Sequence, residues 1–250
     1  MSNNDDLFND KSEDYARARP RYPQQIYKFL AEQCVSHESV WDVASGNGQA
    51  SLGLTKYFDH IDATEISENQ IANAFAHPKI NYSIQAAEKT NFKSNSFDLI
   101  CVAQALHWFD HKKFWPEVKR VLKPDGIFAT WGYSWILLDA EFERIFKRFI
   151  LDIIEPYWAD EIQFLWNQYQ EITFPFKKIE GPEIELSVNW NLYELFEYVR
   201  TWSAVSQCIK KQGSAFIEKA FEEVEKYWGD AEELKDIKMN FFLIVGRNGV

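Results

Sequence analysis

Asp42, Gly46 and Gly48 stand in the run Val40-Trp41-Asp42-Val43-Ala44-Ser45-Gly46-Asn47-Gly48, where an apolar stretch meets an acid and opens into a turn of small residues. Glycine at two positions lets a ligand approach the backbone, because no Cβ stands in the way. The segment from Gln49 reads as a helix, whose first N–H groups have no intrahelical partner. A strand, a bare loop and a helix start form a seat for a nucleoside cofactor.

Two cofactors compete for such a seat. A dinucleotide loop asks for G-x-G-x-x-G, and here Ser51 stands at the third glycine position. S-adenosylmethionine carries no phosphate, so an acid at the strand end suits its ammonium group. Asp42-x-Ala44-x-Gly46-x-Gly48 fits that second pattern, with Ala44 in place of a first glycine. His60-Ile61-Asp62-Ala63-Thr64-Glu65 reads as a second strand ending in an acid about 20 residues further on, the separation expected of a ribose-binding carboxylate. Glu65 is expected to accept both ribose hydroxyls. Ser67 and Gln70 then predict a capping box at the start of a helix.

Elements that would position these residues follow in order. Ile80 to Glu88 reads as a third strand with its exit loop. Ser96 to Ala103 reads as a buried fourth strand, Lys112 to Leu122 as a helix, Lys123-Pro124-Asp125-Gly126 as a turn, and Ile127 to Trp131 as a fifth strand. Strands alternating with helices predict a parallel sheet covered on both faces.

With these residues in place, the chain is similar to the class I S-adenosylmethionine-dependent methyltransferases, in the group called methyltransferase type 11. The resemblance rests on Asp42 to Gly48, Glu65, Ala87-Glu88, Ser96-Phe97-Asp98-Leu99, Ala103 to Asp110 and Arg120 to Gly126. More narrowly, Tyr15 to Pro23 and Tyr198 to Val205 resemble the trans-aconitate methyltransferase subgroup. The implied fold is α/β, a Rossmann-like doubly wound seven-stranded sheet, mostly parallel with an antiparallel last strand, under a helical cap. The implied cofactor is S-adenosyl-L-methionine, and the implied reaction is in-line methyl transfer to a small molecule, a carboxylic acid in the trans-aconitate case. Cofactor-binding residues are expected at Asp42, Ala44, Ser45, Gly46, Gly48, Glu65, Ile66, Ala87, Glu88, Ala103 and Gln104. Ala44 is tolerated if its φ is negative. Ala86 stands where many relatives carry an aspartate that holds the adenine amino group, so Ala87 or Glu88 must supply that contact.

His107-Trp108-Phe109 follows the fourth strand, on the side of the sheet where open α/β folds bind ligands. His107 is the candidate general base; the alternative is a histidine held by the core. Trp108, Trp202 and Ser203 are candidate substrate contacts. Tyr15, Arg19 and Tyr22 flank Pro20 and Pro23 and form a candidate lid, with Arg19 meeting a carboxylate of cofactor or substrate. The alternative for that segment is an ordered tail.

Composition agrees. The 250 residues are 46% hydrophobic, enough for a large core, and carry a net charge of −11 without a basic run, which makes nucleic acid a poor partner. Cys34, Cys101 and Cys208 have no metal or disulfide spacing, and no metal site is expected. With a polar, acidic start and no long apolar run, a cytoplasmic protein off the membrane is expected, monomeric or a weak homodimer. Three parts are expected: a lead-in over 1–36, a cofactor-binding core over 37–135, and a cap with sheet completion over 136–250. Within the last part, Glu141 to Ile150, Asn191 to Val205 and Ala215 to Tyr227 read as helices. Ile184 to Val188 and Met239 to Val245 read as strands. The competing function is a catalytically silent methyltransferase fold used for interaction; a dehydrogenase is a more distant reading because of Ser51.

Overall fold

The computed structural model describes residues 18–249. Its centre is a sheet of eight strands: β1 (Ser39–Val43), β2 (His60–Glu65), β3 (Ile80–Ile84), β4 (Phe97–Ala103), β5 (Leu122–Leu137), β6 (Lys177–Ile179), β7 (Leu186–Trp190) and β8 (Lys235–Arg247). The order is β3-β2-β1-β4-β5-β8-β6, with β7 also on β8. Strands β1 to β5 pair in parallel, and β8 runs antiparallel to β5, β6 and β7. The expected doubly wound sheet with its antiparallel last strand is therefore present, with one strand more than seven. The extra strand arises because β8 is long: one half pairs with β6 and the other with β7.

Helices cover both faces. On one face lie α1 (Gln24–Gln33) and α2 (Gln49–Leu54), packing Tyr27, Leu30 and Leu54 against Val40, Leu99 and Trp131. A short helix, α3 (Glu68–Ala72), packs on β2 and β3, and the opposite face carries α4 (His111–Val121), whose Phe114 and Val118 join Trp41, Phe97 and Phe128. Each buried side chain of this size contributes about 1.5–3 kcal/mol.

The cap is helical: α5 (Ala140–Phe146) runs into π-helix over Lys147–Leu151, and α6 (Ile162–Trp166), α7 (Leu192–Arg200), α8 (Ser203–Gln212) and α9 (Ala215–Trp228) follow. Two expectations are corrected here. The Lys123-Pro124-Asp125-Gly126 turn is an irregularity inside β5, which shifts register between Phe97 and Leu99 and holds Asp125 at φ 59°. Asn191 to Val205 is two helices. Thr201 closes the first by donating its hydroxyl to the Tyr198 carbonyl at 2.7 Å, and Trp202 turns extended so that its ring packs on Phe146 and Trp158.

Candidate functional site

The loop after β1 is tied by its own backbone. Ser45 N–H donates to Thr64 O at 3.0 Å and Gly48 N–H to Ser45 O at 2.9 Å. Gly46 and Gly48 lie at φ 56° and 81°, the left-handed region that glycine enters at little cost. A Cβ on Gly48 would come within 1.9 Å of the Tyr82 hydroxyl, whereas one on Gly46 would meet only Gln70 Oε1, at 4.0 Å. Ala44 is also left-handed, at φ 52°. The expectation of a negative φ is thus corrected: the tight turn between β1 and Gly46 demands a glycine conformation of an alanine.

Asp42 lies beneath this loop rather than in it. The residue is fully buried, its Oδ2 accepts the Ser51 hydroxyl at 2.6 Å, and the Cys101 thiol is 3.6 Å from Oδ1. Burial pushes its carboxyl up to about 6, against the pull of those hydrogen bonds. Asp42 braces the strand end from inside the core, where the expectation has an acid facing an ammonium group.

Glu65 organises the loop from the end of β2. Its Oε1 accepts N–H from Ile66 at 2.8 Å and Ser67 at 3.0 Å, and its Oε2 accepts from Gly46 at 3.0 Å. A carboxylate offers about four acceptor sites, so one remains, on Oε2. The loop thus takes three of the acceptor sites on which the expectation of two ribose hydroxyls draws. Ser67 caps α3 by accepting from Gln70 N–H, while its own N–H goes to Glu65. Ile66 is an apolar side chain left 52% exposed beside this acid. Ala87 is buried and Ala103 half-buried. Glu88 Oε1 accepts the Asp110 N–H at 3.0 Å, fixing the chain before α4.

Between core and cap lies a cavity of about 490 Å³. Gln104, at φ 58°, is clamped there by its carboxamide, which donates to Tyr133 O at 3.0 Å and accepts from Tyr133 N–H at 3.3 Å. His107 also lines the cavity, with Nδ1 3.0 Å from the Tyr169 hydroxyl. Burial, with a smaller push from His111, lowers the imidazole to about 3. His107 is neutral near pH 7, and the near-neutral titration expected of a general base is corrected accordingly.

Trp108, Trp202 and Ser203 line the same cavity, as does Arg19. Arg19 Nε donates to Thr201 Oγ1 at 3.2 Å, and its guanidinium lies 5.9 Å from the Tyr198 ring centre. Tyr22 packs edge-on against Trp131 at 5.6 Å. Tyr15 lies outside the described residues. Sequence reasoning missed Gln49, whose carboxamide accepts from Tyr22 N–H and donates to Pro20 O, both at 3.2 Å. It also missed that Tyr169, 62 positions away, meets His107, and it missed the polar stripe Ser203-Ser206-Gln207-Lys210, although that stripe has plain i, i+3, i+4, i+7 spacing.

The residues present suit S-adenosylmethionine. Ser45 Oγ is buried in the loop without a protein partner, Gly46 has open space where a Cβ would be, and Ile66 leaves an apolar face uncovered next to Glu65.

Comparison with known proteins agrees. Residues 41–130 match the methyltransferase domain family. A Dictyostelium discoideum protein described as a methyltransferase is 30% identical, over 97% of this chain and 95% of its own length. The structure of a protein described as a type II methyltransferase from Anaeromyxobacter dehalogenans superimposes with a TM-score of 0.84 at 31% identity, covering 92% of this chain and 98% of that one. A Haemonchus contortus phosphoethanolamine N-methyltransferase, at 14% identity and a TM-score of 0.54, shares the fold alone. Loop, sheet order and relatives together make the chain a member of the class I S-adenosylmethionine-dependent methyltransferases.

Proposed function

We propose that this enzyme methylates a small organic acid bound in the cavity between core and cap. One observation carries the reading: in a chain of net charge −11, the described residues that line the cavity include Arg19, Arg200 and Lys210 against one anion, Glu197. Such an inversion of local sign draws anions in. The lead-in and cap motifs that resemble the trans-aconitate subgroup support the same class.

The cofactor supplies a methyl group already activated on sulfonium sulfur. The chain's part is positioning and exclusion of water. Glu65, Ser45 and Gly46 would hold the nucleoside, with Ile66 against the base and Ala87, Glu88 and Ala103 along its edge. Gln104 is fixed by Tyr133 and would mark the reacting end. His107, held by Tyr169, would orient the acceptor. Arg19 and Tyr22, latched by Gln49, would cover that end as a lid.

Release of S-adenosylhomocysteine, measured across small carboxylic acids, phenols and amines, tests the proposal. Turnover confined to molecules with an acidic group is expected. Turnover confined to amines or uncharged molecules would overturn it.

A further inference from the structure

Where β5 borders the cavity it carries one residue more than its neighbour. Tyr133 pairs with Phe241 of β8 and Ile136 with Met239, so Ser134 and Trp135 stand together opposite Asn240. A regular strand sends successive side chains to opposite faces. The bulge relaxes that alternation, and Tyr133, Ser134 and Trp135 line the cavity in succession. Ser134 is only 9% exposed, and its Oγ has no hydrogen-bond partner among the described residues. Asn240 turns its Oδ1 to Gln168 Nε2 instead, at 3.3 Å. A buried hydroxyl left unmet costs the free protein stability.

Trp135 starts a row of four indoles on the cavity wall. Trp166 of α6, Trp158 after the turn Glu155–Tyr157, and Trp202 ahead of α8 continue it, with ring centres 5.0, 5.6 and 5.9 Å apart in succession. Four separate stretches of chain thus bring one indole each to the same cavity. Trp202 is buried, but Trp135, Trp158 and Trp166 are left half-buried. An aromatic ring laid against such a row gains from edge and offset contacts beyond the area it buries. A chain of carboxylates there would lose hydration and gain no partner.

We infer that the acceptor is an aromatic acid whose ring lies against the indole row and carries a polar substituent that meets the Ser134 hydroxyl. Ser134 and Trp135 are then the residues that select the ring. This rests on the reading of the cavity as the seat of a small organic acid. Both contacts come from one backbone irregularity, so ring and substituent are read together. A bare ring leaves Ser134 unmet, and a saturated body of the same size loses the ring contacts. Gln104 is clamped to the backbone of Tyr133, which begins the bulge. The ring therefore sits beside the residue proposed to mark the reacting end.

The experiment is calorimetry on the full chain saturated with S-adenosylhomocysteine. The probes are benzoate, 2-naphthoate and their hydroxy derivatives, the ring-saturated counterpart of each, and trans-aconitate. Aromatic acids are expected to bind about fivefold more tightly than their saturated counterparts, the size of one ring contact. Trp135→Leu should erase that preference. Ser134→Ala should weaken binding of at least one hydroxy derivative about fivefold and leave the unsubstituted acids unchanged. It should not lower the thermal midpoint of the free protein, because a hydroxyl without a partner adds nothing to the fold. Equal affinity for aromatic and saturated acids, a preference that survives Trp135→Leu, or tighter binding of trans-aconitate than of every ring-bearing acid would overturn the inference. So would a Ser134→Ala variant that melts earlier with all affinities unchanged. Each of these outcomes leaves the acid reading standing. Equal affinity for the acids and their neutral amides would overturn that reading instead.

Discussion

Ser51 donates its hydroxyl to Asp42 across 2.6 Å, with both residues fully buried. The residue that breaks the dinucleotide glycine pattern is thus the one that stabilises the acid of the cofactor loop. The arrangement has a pH signature. Folding raises Asp42 from an ordinary carboxylate value to about 6 because the charged form is buried. The folded state therefore holds this proton more tightly than the unfolded chain. The contribution is full below about pH 4 and lost as pH rises through about 6, a change of about 3 kcal/mol. Asp42→Asn does not titrate. Unfolding free energies from urea titrations at pH 4 and pH 7 should show wild type losing stability relative to that variant over this interval. A constant difference between the two proteins would refute the burial argument.

His107 acts in the opposite direction. Its imidazole falls to about 3 in the folded state, so the unfolded chain binds the extra proton first. Its stabilisation is present above about pH 6.5 and is lost as pH falls toward 3. In catalysis, removal of a general base costs about 10²–10⁴-fold. For a neutral imidazole that only orients the acceptor, His107→Gln should cost less than about tenfold in turnover and leave the shape of the pH–rate profile unchanged. Disappearance of a near-neutral limb in the variant would restore the base role.

Ala44 is held at φ 52°, where a side chain costs about 1–2 kcal/mol relative to the right-handed region. Replacement by glycine removes that strain but loosens the unfolded chain, an offset of about 0.4–1 kcal/mol. Ala44→Gly is expected to raise stability by roughly 0.5–1 kcal/mol, read as a higher thermal midpoint, without loss of cofactor affinity. A lower midpoint would show that the methyl group packs better than the turn suffers.

Under the proposed function Glu65 serves loop and ligand together, so its replacement should be felt twice. Glu65→Gln puts an amide hydrogen against at least one of the N–H donors of Gly46, Ile66 and Ser67. An unmet or opposed buried donor costs about 1–3 kcal/mol. Calorimetry should show affinity for S-adenosylhomocysteine reduced at least tenfold, and the ligand-free protein should melt earlier as well. Reduced affinity with an unchanged melting temperature would assign the carboxylate to the ligand alone.

Gln49 ties the lead-in to the helix that follows the cofactor loop through Pro20 and Tyr22, while Arg19 ties it to the cap at Thr201. Gln49→Leu keeps the volume and removes both hydrogen bonds. Protease cleavage near Arg19 and Arg21 should become faster in the variant, and turnover should fall more than fold stability does. Identical cleavage rates would separate Gln49 from the lid.

The sheet and loop were legible because they are written in local chemistry. Glycines must stand where the chain turns left-handed at Gly46 and Gly48, and the apolar runs at Val40 and Ile100 can only be buried strands. The functional states of Asp42, Glu65 and His107 were not legible, because each is set by a partner that folding brings in. Ser51 and Cys101 reach Asp42, three backbone N–H groups converge on Glu65, and Tyr169 arrives from the cap to fix His107. The break between α7 and α8 escaped for a related reason. No proline or glycine marks Thr201 and Trp202; the demand of the Trp202 ring for its pocket overrides helix propensity there.

The row of indoles from Trp135 to Trp202 also makes the cap a built-in optical gauge. Four rings with neighbouring centres 5.0 to 5.9 Å apart exchange excitation readily, so a ligand that quenches one of them dims the row. Their common emission should follow filling of the cavity without any label, and a ligand that reaches only the nucleoside loop should leave it nearly unchanged.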